Sequence, residues 1–193
     1  MARVFRTATA LAVATAALAG CSEAEPANAT LPAATAEPSP TTEELPPLGP
    51  ADFPMPPEAR EKTPNGALAF TRYYMGLIWH IGKGPVDPQP LLDLSRDCRQ
   101  CMAIAESYRS DIAANYSYTD SSYEFEPYDT GVLLGDTADV GFVYSEGPFE
   151  VLDAQGDRVP DRSSGASGDL QSGALLSWDA TRSTWIVTEL TIG

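Results

Sequence analysis

The sequence predicts an α+β domain whose helices lie on its N-terminal side and pack in a curved antiparallel sheet. Three observations carry this. Apolar residues recur at helical spacing between Thr63 and Ala114, and after Tyr116 the period changes to two. Short polar turns, not helices, then join the extended segments. Such a sheet wrapped around one long helix makes a cone.

The first helix begins at Thr63, a capping residue, with Pro64 at the position where a missing N–H does no harm. Ala67, Phe70, Tyr74, Leu77, Ile78 and Ile81 form its apolar stripe. Gly82 and Gly84 end it, and Pro85, Pro88 and Pro90 forbid its return. A short turn over Pro90–Ser95 leads to a second helix, Asp97 to Ala114, with Cys98, Cys101, Ala105, Tyr108 and Ile112 on one face. Extended segments are expected at 122–130, 137–146, 149–154, 172–180 and 184–193. Val140, Phe142 and Tyr144 alternate, as do Ile186, Leu190 and Ile192. Residues 153–159 and 179–184 read as hairpin turns, and 160–169 as a mobile Gly/Ser-rich loop.

The beginning of the chain reads as an export signal. Arg3 and Arg6 precede a run of small apolar residues from Ala8 to Ala19. That run is too short to span a bilayer, which takes roughly 17–25 residues. Its end, Leu18-Ala19-Gly20-Cys21, resembles the bacterial lipobox. The resemblance implies a diacylglyceryl group on the Cys21 thiol and cleavage that leaves Cys21 as the new N-terminus. The folded part would then lie outside the cytoplasm, anchored to the cell membrane by its lipid. Each buried methylene contributes ~0.8 kcal/mol to such anchoring. No other stretch is long and apolar enough to cross a membrane.

Three segments follow from this: a signal peptide at 1–20, a lipidated Cys21 with an acidic Pro/Ala/Thr-rich tether at 21–62, and a cone-like domain at 63–193. Between Ser22 and Pro57 the tether has six acids and no base. It buries too little apolar surface to offset its chain entropy, so disorder is expected. As polyproline II it would reach up to ~120 Å. Phe53 to Pro57 could dock on the domain as an arm. The formal net charge is −15, and it becomes two units more negative without Arg3 and Arg6. An acidic chain with no basic stripe excludes nucleic acid as a partner and would be repelled by anionic phospholipid.

The stretches PNGALAFTRYYMGLIWHIGKG, PLLDLSRDCRQC and LLSWDATRSTWIVTELTIG resemble an uncharacterised family of actinobacterial lipoproteins. Its members carry a domain of unknown function with a nuclear transport factor 2-like fold. The resemblance covers roughly Met55 to Gly193, and it implies an envelope protein with that cone and no established activity. The wider cone superfamily includes isomerases, dehydratases and pure binding modules, so fold does not choose among them.

The chemistry-bearing residues are few. Cys98-x-x-Cys101 lacks the strand and βαβ unit of a redox centre. With Cys21 lipidated, a zinc site would have only these two cysteines, the single histidine His80 and a carboxylate. An oxidising exterior favours a disulfide that pins the turn to the second helix, with redox and zinc chemistry as the alternatives. Tyr74, His80 and Tyr108 are candidates to line a cavity. His80 could serve as an acid or base, or simply complement the helix dipole. Cone isomerases pair a tyrosine with a carboxylate; no spacing singles out such a pair among the eight tyrosines and acids such as Asp93 and Asp139. No catalytic residue, metal or cofactor is assigned. The resulting expectation is a non-catalytic binding module for a small ligand or an envelope protein. The alternatives are a cone-type enzyme with isomerase- or dehydratase-like acid–base chemistry, and a structural role in envelope assembly, with a possible homodimer formed through the sheet.

Overall fold

The computed structural model describes residues 45–193 other than Pro85. The expected signal peptide, Cys21 and the tether as far as residue 44 lie outside the described residues.

Helix α1 (Pro64–Gly82) is capped as expected: the Thr63 hydroxyl accepts the Gly66 N–H at 2.9 Å. It buries Phe70, Tyr73, Tyr74, Met75, Leu77 and Ile81, so its middle turns are enclosed almost all round. A short helix, α2 (Gln89–Asp93), occupies the expected turn. Helix α3 (Arg99–Ala113) starts two residues later than expected because Asp97 takes φ 55°, a left-handed conformation that interrupts helix. Cys98 therefore caps α3, its sulfur accepting the Cys101 N–H at 3.1 Å.

Cys98 and Cys101 are bonded to each other, with Cα atoms 5.3 Å apart, and both are buried. So small a loop stabilises by only ~2 kcal/mol in the chain-entropy model. Reduction should therefore lower the melting temperature modestly and leave the fold intact. Counting alkylatable thiols in native and in denatured, unreduced protein checks this; two reactive thiols in the denatured sample would refute the staple.

The strands are β1 (Ser117–Tyr118), β2 (Tyr123–Pro127), β3 (Val132–Leu134), β4 (Thr137–Glu146), β5 (Val151–Leu152), β6 (Leu170–Asp179) and β7 (Thr184–Thr191). The main sheet runs β2-β4-β6-β7, with β3 also paired to β4, and every pairing is antiparallel. A register shift between Leu175 and Leu176 bends it. Ala138, Val140, Phe142 and Tyr144 of β4 point inward with Ala174 and Leu176 of β6, and they share one core with α1. This is the expected α+β class, helices on the N-terminal side packed against a curved antiparallel sheet.

Three strands, β1, β3 and β5, depart from expectation. The extra hairpin β3–β4 forms because Gly135, at φ 67°, lets a run of only three apolar residues turn back. The segment expected at 149–154 shrinks to β5, which pairs with β1 in a separate two-stranded ribbon. The loop beyond it is tied down: Ser163 Oγ accepts the Val151 N–H and donates to Val159 O.

The tether also ends earlier than expected. Its described part packs onto the domain, burying Met55 and Ala59. Phe53 stacks between Tyr73 and His80, with ring centroids 5.4 and 4.8 Å away. Arg60 donates to the carbonyls of Arg182 at 2.6 Å and Ser183 at 3.3 Å in the β6–β7 turn. The boundary expected at 62–63 is thus misplaced, because Pro-rich composition outweighed a few apolar residues spaced to dock.

Candidate functional site

A cavity of about 490 Å³ opens between the end of α1, one face of α3, the inner end of β4 and the β1–β5 ribbon. Its apolar lining includes Ile78, Trp79, Ile104 and Ile192. Its aromatic walls follow from local structure. Trp79 is on the last turns of α1, and Tyr108 lies on α3, seven residues beyond Cys101. Tyr144 and Glu146 continue the inward-facing alternation of β4.

The polar groups of the walls are mostly engaged with one another. Trp79 Nε1 donates to the Tyr144 hydroxyl at 2.6 Å, and that hydroxyl donates to Glu146 Oε1, also at 2.6 Å. Tyr108 donates to Ile78 O at 3.0 Å. Tyr118 and Arg162 both donate to the carboxylate of Asp111, and Arg162 reaches Ser107 Oγ at 2.7 Å. Asp111 is 3 % exposed, so Arg162, from the loop before β6, supplies the countercharge for a buried acid. Arg162 Nε is buried and has no hydrogen-bond partner.

Burial holds the Tyr108, Tyr118 and Tyr144 hydroxyls well above the usual phenol range, with the Asp111 carboxylate adding to this at Tyr118 and Glu146 at Tyr144. Burial likewise raises Tyr74, and it pushes Tyr73 up to about 12. These phenols are therefore neutral donors, not bases. Above pH ~10 the unfolded chain gives up phenol protons that the folded chain retains. Their contribution to stability is thus complete below pH ~10 and is lost as pH rises through their raised folded values. In an alkaline titration Tyr73, Tyr74, Tyr108, Tyr118 and Tyr144 should ionise only together with loss of circular dichroism. All eight ionising near pH 10 in folded protein would contradict this burial.

Of the expected cavity residues, only Tyr108 lines this space, and it does so by its ring. Tyr74 is a core residue whose hydroxyl donates to Leu91 O at 3.2 Å. His80 faces the arm: its ring stacks on Phe53 and its Nε2 lies 3.3 Å from Asp52 Oδ2. Asp93 and Asp139 are exposed. The residues missed were Trp79, Tyr118, Tyr144, Glu146, Asp111 and Arg162. One readable signal existed: in Val140-x-Phe142-x-Tyr144-x-Glu146 a carboxylate follows three inward-facing residues in phase. Arg162 had none, being one base in a polar loop.

Among the described residues no three His, Cys, Asp or Glu side chains converge as a metal site would require. No described helix is long and apolar enough to cross a membrane.

Fold and site together define an α+β domain with an aromatic-walled cavity between its helices and sheet. The chain matches no known family profile and no curated protein. Among solved structures, the intermembrane-space region of the chloroplast protein ARC6 superposes with a TM-score of 0.52 at 13% identity, over 68% of this chain and 97% of that one. A nuclear transport factor 2-like superfamily protein from Salmonella enterica gives a TM-score of 0.38 at 11% identity, over 66% of this chain and 92% of that one. At such identities the likeness to ARC6 is one of fold alone.

Proposed function

We propose that this chain is a non-catalytic binding module, lipid-anchored through Cys21 on the outer face of a bacterial cell membrane, whose cavity holds a small molecule. The observation that carries the binding role is the cavity itself. Its volume is within the range of pockets for drug-sized ligands, and apolar and aromatic groups with a few converging polar ones line it. The anchor and the family of envelope lipoproteins rest on the Leu18-Ala19-Gly20-Cys21 motif and the quoted stretches. The acidic segment after Cys21 would act as the spacer.

Native mass spectrometry of the full chain extracted from membranes tests the binding role: a non-covalent adduct should be released on denaturation. Replacing Trp79 by Ala should remove that adduct. An adduct-free spectrum, with no small molecule shifting the melting temperature in a broad screen, would refute it. Cys21→Ser should abolish membrane partition and signal cleavage; a variant still processed and membrane-bound would defeat the anchor.

One observation favours a second reading, acid–base catalysis. Tyr144 and Glu146 form a tyrosine–carboxylate pair facing the cavity, the arrangement a cone-type isomerase needs. A released ligand that exchanges an activated C–H with D2O only in the presence of protein, and not with Glu146→Gln, would establish it.

A further inference from the structure

The hydrogen-bonding and charge inventory of the cavity points to the chemistry of its occupant. The indole N–H of Trp79 and the hydroxyls of Tyr108, Tyr118 and Tyr144 are all engaged within the wall. The walls therefore offer an occupant aromatic carbon and no free aromatic N–H or O–H donor. Tyr118 and Phe149 lie with centroids 6.0 Å apart, and Tyr108 meets Tyr118 edge-on at 6.3 Å, so these rings form one continuous aromatic surface.

The charges divide unevenly. Asp111 is matched by Arg162. Exposed Lys83 and Asp120, also in the lining, are of opposite sign. Glu146 is half-buried, and no ion pair among the described residues involves it. Its Oε1 accepts the Tyr144 O–H hydrogen bond, and no side chain donates to Oε2. The unneutralised charge facing the cavity is thus negative and set beside aromatic rings. An ammonium group there gains both the carboxylate and the quadrupoles of the ring faces. An anion meets the field of Glu146, with the Arg162 charge already offset by Asp111.

We propose that the cavity selects an amphipathic organic ammonium compound, its cationic group on Glu146 and its apolar body along Ile78, Ile104 and the aromatic walls. This rests on the cavity being a binding site, as proposed above. The ammonium can belong to a free small molecule or to a phospholipid headgroup.

The test uses the full chain held in a detergent-free amphiphilic polymer and titrated by calorimetry with three probes of one shape: 4-phenylbutyl-trimethylammonium, 4-phenylbutanol and 4-phenylbutanoate. The cation should bind ~10-fold tighter than the alcohol, and the carboxylate should bind weakest. Glu146→Gln should erase the cation's advantage and leave the alcohol's affinity within ~2-fold, whereas Tyr144→Phe should retain the advantage. Vesicles of phosphatidylcholine form a further arm. Depletion of protein onto them that Glu146→Gln prevents, with no preference among the soluble probes, would assign the ammonium to a headgroup. Alcohol or carboxylate binding as tightly as the cation, without that vesicle binding, would overturn the ammonium assignment and leave the binding role standing. Failure of every probe and vesicle to bind would overturn both. The ranking in the unaltered chain is decisive even if a variant fails to fold.

Discussion

Replacing Gly66 by Ala should cost about 3–5 kcal/mol and lower the melting temperature by roughly 10–20 °C. A Cβ at this position would sit 2.1 Å from Glu61 O and 2.8 Å from Glu61 C, a backbone clash that no side-chain adjustment relieves. Either α1 or the arm must shift. The Glu61 carbonyl also accepts the indole N–H of fully buried Trp185 at 3.0 Å, so moving it orphans that donor. Beside it, Arg60 holds the Arg182 and Ser183 carbonyls, so the arm's grip on the last hairpin loosens as well. Gly165→Ala is the matched control, because a Cβ there meets nothing within 4 Å. Thermal melts of both variants decide it; a Gly66→Ala protein melting within a degree of the parent would show that the arm does not pack against α1 as described.

The second large effect is expected at Asp111. Asp111→Asn removes the charge that Arg162 and Tyr118 share and turns one acceptor into a donor. Breaking a buried ion pair costs about 3–5 kcal/mol, but the Arg162 side chain is 37% exposed, so water takes up part of the loss and about 2–3 kcal/mol is expected. The cavity should respond beyond stability. Arg162 would release its loop, and Tyr118, no longer held beside a carboxylate, should ionise at lower pH than in the parent. Denaturant melts give the first quantity and alkaline difference spectra the second. An unchanged Tyr118 titration together with parent-like stability would mean that the cluster does not hold this wall.

Much of the fold was legible because it rests on local physics. Thr63-Pro64 and the stripe from Ala67 to Ile81 place α1, and the alternation at Val140, Phe142 and Tyr144 places β4. What was not legible depends on partners distant in sequence. Docking of the Phe53–Pro57 arm was anticipated, but Ala59 and Arg60 look like tether until the β6–β7 turn comes to meet Arg60. The β1–β5 ribbon is two residues a side, too short for any period to register. The site was less legible than the fold. Tyr74 and His80 were candidates by residue type, and packing turned both away from the cavity. Asp111 and Arg162 become a pair only through a contact spanning 51 residues.

The hold of Arg60 on Arg182 and Ser183 spans more than 120 residues, nearly the whole described chain. Closing so long a loop gains nothing until both ends exist, so Arg60 cannot take hold before the β6–β7 turn has been made, even where Phe53 already stacks on α1. Assembly should then be slow and late, its final step coupled to completion of the last hairpin. A nascent chain halted before residue 180 would have the Arg60 end of its arm unfastened and the Met55 side of its core open to water, a state that invites chaperone capture and proteolysis.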